Sequence, residues 1–288
     1  MNKKDKKNKI DPVCGMDLEY SENITKVSYK NKNFYICGDH CIKRFNKNPE
    51  KFLGEPLVKM RSIKKSFLNG DVKTKALRGL SLNIWEGDFV AIIGSSGSGK
   101  STVLQMMGLL DRPSSGKIYF KGENVTNLED EKRASLRSKV FGFVFQKYHL
   151  IPWLTAFENI QLPLIFSRKG NGITKERLLE MFDEIGLGHR TEHLPTQMSG
   201  GEQQRTAILR ALANDPSMIL GDEPTGNLDS ETGNKILDIL FDLNKKNGKT
   251  LVVVTHDADI AKKADQVITL KDGRVVCGQE FYEKIYTE

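Results

Sequence analysis

Residues 94–102 read Gly94-Ser95-Ser96-Gly97-Ser98-Gly99-Lys100-Ser101-Thr102, the pattern G-x-x-x-x-G-K-[ST]. Nothing else in the chain restricts its folding as strongly. The glycines let backbone N–H groups turn toward an anion, Lys100 reaches the β- and γ-phosphates of a nucleotide, and the Ser101 hydroxyl can ligate Mg²⁺. The context suits this reading. The apolar run Phe89-Val90-Ala91-Ile92-Ile93 precedes the loop, and a helix-like stretch from Thr102 to Leu110 follows it. A helix starting near Lys100 also directs its positive end at the phosphates. A plain Gly/Ser-rich turn would need neither flank.

With 288 residues the chain can hold one large domain, or one plus a small one. No run approaches the roughly 18–20 apolar residues that span a bilayer, and the start, Met1 to Lys9, lacks the apolar stretch of a signal peptide. A cytoplasmic protein is expected. The net charge of +7 is uneven, since residues 1–60 hold 13 Lys/Arg against 8 Asp/Glu. Residues 1–10 read as a basic, flexible tail whose charge is solvated; nucleic-acid binding is not expected.

Residues 11–54 form a compact block with turn signals at Asp11-Pro12, Cys14-Gly15 and Cys37-Gly38. A short helical piece, Cys41 to Phe45, comes late in it, and Gly54-Glu55-Pro56 makes a linker. Beyond Leu57 the pattern is long and α/β-like. Strands are expected at 140–145, 218–220, 251–254 and 267–270. Helices are expected over 175–185 and 230–246. Alternation of this kind implies a largely parallel sheet covered on both sides.

The apolar run Met218-Ile219-Leu220 leads into Gly221-Asp222-Glu223. A carboxylate ending a buried strand can hold Mg²⁺ opposite a phosphate loop, and Glu223 can polarise the attacking water. Between the two motifs lies Met198-Ser199-Gly200-Gly201-Glu202-Gln203-Gln204-Arg205. Ser199 and Glu202 fit a capping box opening a helix over 203–213. The same residues resemble the signature motif of ATP-binding-cassette (ABC) ATPases, whose usual form is Leu-Ser-Gly-Gly-Gln; Met198 and Glu202 depart from it mildly.

Other elements follow in family order. Gln146 resembles the Q-loop glutamine, which contacts Mg²⁺ or the attacking water. Asn227-Leu228-Asp229 resembles the D-loop, and Thr255-His256-Asp257 resembles the H-loop, whose histidine holds the γ-phosphate. Phe67, 27 residues before Gly94, stands where the family places an adenine-stacking aromatic. The resemblance spans about 58–275. It implies a P-loop ATPase fold with a helical subdomain over 58–280, and a head-to-tail homodimer with two ATPs. In that dimer Ser199, Gly200 and Gly201 meet the partner's ATP, while Gly94 to Thr102 hold the chain's own. Ser101, Gln146 and Asp222 would hold Mg²⁺; Glu223, His256 and Gln146 would act in hydrolysis. Gly142 to Gln146 and Asp222 to Ser230 are similar to the subfamily serving lipoprotein release and macrolide-type export. That likeness implies a separate transmembrane permease and a place at the cytoplasmic membrane face. Other ABC ATPases act outside transport. Their repair class inserts long coiled coils between phosphate loop and signature, whereas 98 residues separate Lys100 from Ser199 here.

Within 11–54, Cys14, Cys37 and Cys41 accompany Phe34-Tyr35, Phe45, Pro49 and Phe52. The block resembles the YHS domain and the related TRASH metal-binding module, which implies a small α+β domain. Thiolates in C-x₃-C can converge on one ion, and soft ligands favour Cu(I) or Zn²⁺. Met16 would complete a copper site and His40 a zinc site. Alternatively, the cysteines pack as small apolar residues. Heavy-metal handling, or a metal-responsive sensor or metallochaperone with the cassette as its switch, are the corresponding expectations. Cys277 has no partner nearby in sequence and reads as incidental.

Overall fold

The computed structural model describes residues 9–21, 23–167 and 173–276, so most of the Lys-rich start and Cys277 lie outside the described residues. The early elements are β1 (Thr25–Tyr29), β2 (Lys32–Ile36), α1 (Asp39–Lys47), β3 (Val58–Asn69), β4 (Val72–Ile84), β5 (Phe89–Gly94), α2 (Lys100–Met107), β6 (Ser115–Phe120) and β7 (Glu123–Asn124). Next come α3 (Asp130–Val140), β8 (Phe141–Phe145), α4 (Ala156–Phe166), α5 (Lys175–Glu184), α6 (Gly200–Leu212), β9 (Met218–Asp222) and α7 (Ser230–Lys245). The chain continues through β10 (Thr250–Val254), α8 (Ala258–Lys263), β11 (Gln266–Lys271) and β12 (Arg274–Val276). Two compact units result, one from residues up to 128 together with those from 254 onward, the other from 129–253.

In the first unit β5 is buried along all but its last residue. A parallel strand covered on both faces has no solvent side, hence its unbroken apolar run. β11 lies parallel to it, with Gln266 opposite Val90 and Leu270 opposite Gly94. β12 returns antiparallel through Asp272 and Gly273, both at positive φ. A second sheet runs β4-β3-β6-β7, antiparallel at the pairings β3–β4, β3–β6 and β6–β7.

The N-terminal block belongs to this unit. β1 and β2 form a hairpin whose turn residues, Lys30 and Asn31, have φ of 46° and 61°. Positive φ at both central positions matches the right-handed strand twist. α1 buries Cys41 and Phe45 against it. Phe45 stands 5.3 Å from Phe34 and 6.4 Å from Phe52, and Phe52 meets Trp85 edge-on at 5.2 Å. The small block thus shares an aromatic core with the residue that follows β4.

In the second unit β8 and β9 run parallel, Phe141 opposite Met218 and Phe145 opposite Asp222, with β10 on the other side of β9. A separate core joins α4, α5 and α6 through Phe157, Ile160, Phe182 and Leu209, together with Met198 just before α6. The helix expected at 102–110 instead begins at Lys100 and ends at Met107, and Leu109 turns away at φ 57°. The helix expected from Gln203 begins at Gly200, because the Ser199 cap organises the turn containing both glycines. Among the described residues no helix is long and apolar enough to cross a membrane.

Candidate functional site

The phosphate loop leaves the end of β5 and closes onto α2. Gly99, at φ 103°, caps that helix, and a Cβ there would stand 2.8 Å from the Ala76 carbonyl oxygen. Only glycine meets both demands, so the motif's second glycine is fixed by a close approach as well as by its turn. Gly94, at φ 153°, is confined in the same way by the Leu270 carbonyl. The Lys100 ammonium donates to the carbonyls of Gly94 (2.8 Å) and Ser95 (3.1 Å), so it spans the loop that it serves. The Ser98 hydroxyl is buried with no hydrogen-bond partner. Phe67 sits on β3, on the same hairpin as Ala76, and is 41% exposed. Thr255 N donates to Ile92 O (3.1 Å), which carries the exposed His256 to the neighbourhood of β5. Asp257 then caps α8.

In the second unit Gln146 and Glu223 emerge side by side, since the residues before them, Phe145 and Asp222, are paired in register. Glu223 adopts φ 48°, a left-handed conformation that costs a non-glycine residue about 1 kcal/mol. Gln146 and Asn227 are tied twice. Nε2 of Gln146 donates to Oδ1 of Asn227 (3.3 Å), and Nδ2 of Asn227 donates to the Gln146 carbonyl (2.9 Å). A Cβ on Gly226 would meet the Gln146 amide at 2.7 Å. The stretch expected to act as a D-loop is therefore also the partner of the Q-loop within one chain. Its Asp229 caps α7 by accepting from Thr232 N (3.0 Å).

Ser199 caps α6 with the full reciprocal box. Glu202 N donates to Ser199 Oγ (3.3 Å), and Ser199 N donates to the Glu202 carboxylate (2.7 Å). Arg190 adds a 2.8 Å ion pair, and these donors hold the Glu202 carboxyl below its usual range against the opposing effect of burial. Gly201 packs so closely on α7 that a Cβ would lie 2.4 Å from the Thr232 methyl. The helix start expected from the capping box and the docking turn expected from the signature are the same object.

Cys14, Cys37 and Cys41 converge in the N-terminal block, all buried and unbridged. Cys37 Sγ lies 3.7 Å from both Cys14 Sγ and Cys41 Sγ. With metal–sulfur bonds of about 2.3 Å, the edge of a tetrahedron is about 3.8 Å, so the spacing fits thiolates around one ion. The fourth group gathered within 4.8 Å is the Asp11 carboxylate. His40, the expected zinc ligand, is not in this group of four; its Nε2 lies 2.9 Å from the Asp265 carbonyl. Met16 is buried in the same loop. Asp11 ties the two cysteine loops together by accepting from Val13 N (2.7 Å) and Cys14 N (3.2 Å) on one oxygen and Cys37 N (2.7 Å) on the other. Burial, with the charge on Cys14, pushes the Asp11 carboxyl up to about 7. Hydrogen bonds from the Cys37 and Cys41 thiols hold Cys14 well below the usual thiol range. A pattern of cysteine spacings gave no signal for Asp11; the Asp-Pro turn was its only trace.

Comparison with known proteins accords with these arrangements. The ABC transporter family matches residues 77–226, and the YHS domain family residues 9–55. An uncharacterised ABC transporter ATP-binding protein of Thermotoga maritima is 50% identical over 206 residues, covering 72% of this chain and 88% of the relative. The lipoprotein-releasing system ATP-binding protein LolD of Xanthomonas euvesicatoria is 42% identical over 219 residues, 76% of this chain and 90% of the relative. The dimeric post-hydrolysis state of an ATP-binding cassette from Methanocaldococcus jannaschii, bound to ADP and Pi, superposes with a TM-score of 0.69 at 46% identity, covering 76% of this chain and 96% of that one. Both halves of the sequence resemblance are met: the chain is an ATPase that belongs to the ABC transporter family, of the lipoprotein-release and macrolide-export type, with a YHS domain at its N-terminal side.

Proposed function

We propose that this chain powers a separate transmembrane permease from the cytoplasmic face, as a homodimer closing on two ATP molecules, with 11–54 and 58–280 as its working domains. The observation that carries the reading is the phosphate loop, where Gly99 fits beneath Ala76 and Lys100 spans its own carbonyls. Lys100 would release these carbonyls for the β- and γ-phosphates, while the loop amides of 95–102 orient the triphosphate and Phe67 stacks on adenine. The oxygen donors of Ser101, Gln146 and Asp222 are a hard set that fits Mg²⁺. The ion, when bound, supplies neutralisation of phosphate charge. Glu223 orients the attacking water, and His256 holds the γ-phosphate. Ser199, Gly200 and Gly201 present the start of α6 to the partner's nucleotide, as a helix N-terminus suits an anion. The dimeric ADP-bound relative supports this assembly. Catalysis of this kind is mainly positioning. Replacing Glu223 by Gln is expected to lower steady-state turnover by about 100-fold or more while ATP binding persists. Turnover at the wild-type rate would overturn the assignment.

The thiol cluster favours an additional reading, a bound Cu(I) or Zn²⁺ ion linking the transporter to heavy-metal handling. Three thiols at tetrahedral-edge spacing and a buried carboxylate fit such an ion, and small domains gain stability from a metal. Titration of the full chain against a chromophoric chelator is expected to show one equivalent of either ion, lost in Cys37→Ser. Equal uptake by wild type and Cys37→Ser would remove the metal.

A further inference from the structure

The turn after β9 carries strain at the residue proposed to orient water. Glu223 has φ 48°, its carbonyl accepts from Gly226 N (3.0 Å), and Pro224 beside it is buried. α6 reaches into this turn. Gln204, five residues beyond the Ser199 cap, is fully buried and donates Nε2 to the Pro224 carbonyl at 2.5 Å. A carbonyl only accepts, so the amide nitrogen has to face it.

The other end of the same amide, Oε1, is buried with no hydrogen-bond partner. An orphaned acceptor is unfavourable, and an apolar side chain of similar shape would avoid it. Stability alone therefore does not account for a glutamine here, whereas a donor aimed at Pro224 does. The start of α6 has little freedom to shift independently, because Gly201 sits flush on Thr232 of α7.

We propose that Gln204 is a positioning residue for hydrolysis: its amide fixes the Pro224 carbonyl and, through that peptide, the direction of the Glu223 side chain. The end of α6 that meets one nucleotide would thereby be tied to the group that orients water at the other. This inference rests on the roles proposed above for Glu223 and Ser199.

The test compares full-length wild type, Gln204→Met, Gln204→Glu and Glu223→Gln in steady-state ATPase assays, nucleotide-binding titrations and thermal melts. Gln204→Met keeps length but cannot donate; Gln204→Glu keeps shape, and its carboxylate cannot donate either. Both are expected to lose about tenfold or more in kcat, about 1.4 kcal/mol of barrier, with KM for ATP within about twofold. A loss in kcat alone separates positioning from a structural defect, which would move KM, nucleotide affinity and the melt together. Wild-type kcat in either folded variant, beside an inactive Glu223→Gln, overturns this inference and leaves the site reading intact. Matched losses in kcat, KM and melting midpoint in both variants overturn it as well. An active Glu223→Gln overturns the site reading and this inference with it.

Discussion

Close approach dictates some single residues in this chain, and Gly15 shows how sharply. It has φ 76°, and a Cβ would stand 2.4 Å from Asn83 N, the group that donates to the Cys14 carbonyl at 2.7 Å. Gly70 has a similar φ of 59° with nothing within 4 Å of its Cβ position. Alanine at Gly70 is thus expected to cost about 1 kcal/mol from backbone strain alone, and at Gly15 about 3 kcal/mol, because the Asn83 backbone must also move. Chemical denaturation of the two variants measures the difference, and equal losses would show that the Gly15 contact is slack. At this scale, legibility followed spacing. Lys100, Ser199 and Glu223 stand in motifs whose intervals reflect a turn or a helix cap. The proposed roles of Asp11 and Gln204 were not legible, although both stand in quoted stretches, because spacing does not show that a polar side chain is buried or that it meets Cys37 or Pro224.

Elements were legible where hydrophobic period and punctuation agreed. The apolar face and Asn247-Gly248 stop of α7 predicted it to within one residue, and the Lys175 to Ile185 pattern gave α5 equally well. The buried strands read plainly because both their faces are covered. Less legible was how α6 would serve several sites. Its Ser199 end is a cap, Gln204 grips the turn after β9, and Arg210 donates to the carbonyls of Tyr148 (2.6 Å) and His149. Those two residues have φ of 58° and 51°, so the segment after Gln146 is held in a conformation that it would not choose alone. Burial draws the Arg210 guanidinium down to about 10, which leaves it charged at neutral pH. Helical period announces such a helix but not which of its polar residues face inward, since a buried donor and a solvated one look alike in sequence.

For the molecule as a whole, the decisive fact is where the cysteine block attaches. Several of its contacts lie near the beginning of β5 and β11: Trp85 Nε1 donates to Val13 O (2.6 Å), His40 lies against the Asp265 carbonyl, and Arg44 bonds Gln266 (2.7 Å). The phosphate loop leaves the other end of β5, about 16 Å away at ~3.3 Å per residue. The block is not confined to the beginning of these strands, since the Arg274 guanidinium of β12 lies 4.4 Å from the Tyr20 ring. Asp88 is the centre of this attachment. It takes the Arg44 guanidinium and the Lys51 ammonium (2.6 Å), with only 6% of its side chain exposed. Removing it strands a largely buried Arg44 without a counter-charge, whereas Lys51 can turn toward water. Asp88→Ala is thus expected to lower stability by about 2 kcal/mol, less than the loss of a fully buried pair. Its particular sign should be faster reaction of Cys14, Cys37 and Cys41 with a disulfide reagent in the native state, since local opening of the block precedes global unfolding. Labelling followed by peptide mapping measures those three thiols apart from Cys277. Unchanged labelling rates in a destabilised variant would mean that Asp88 supports the strand alone and that the block is held by its aromatic contacts with Trp85.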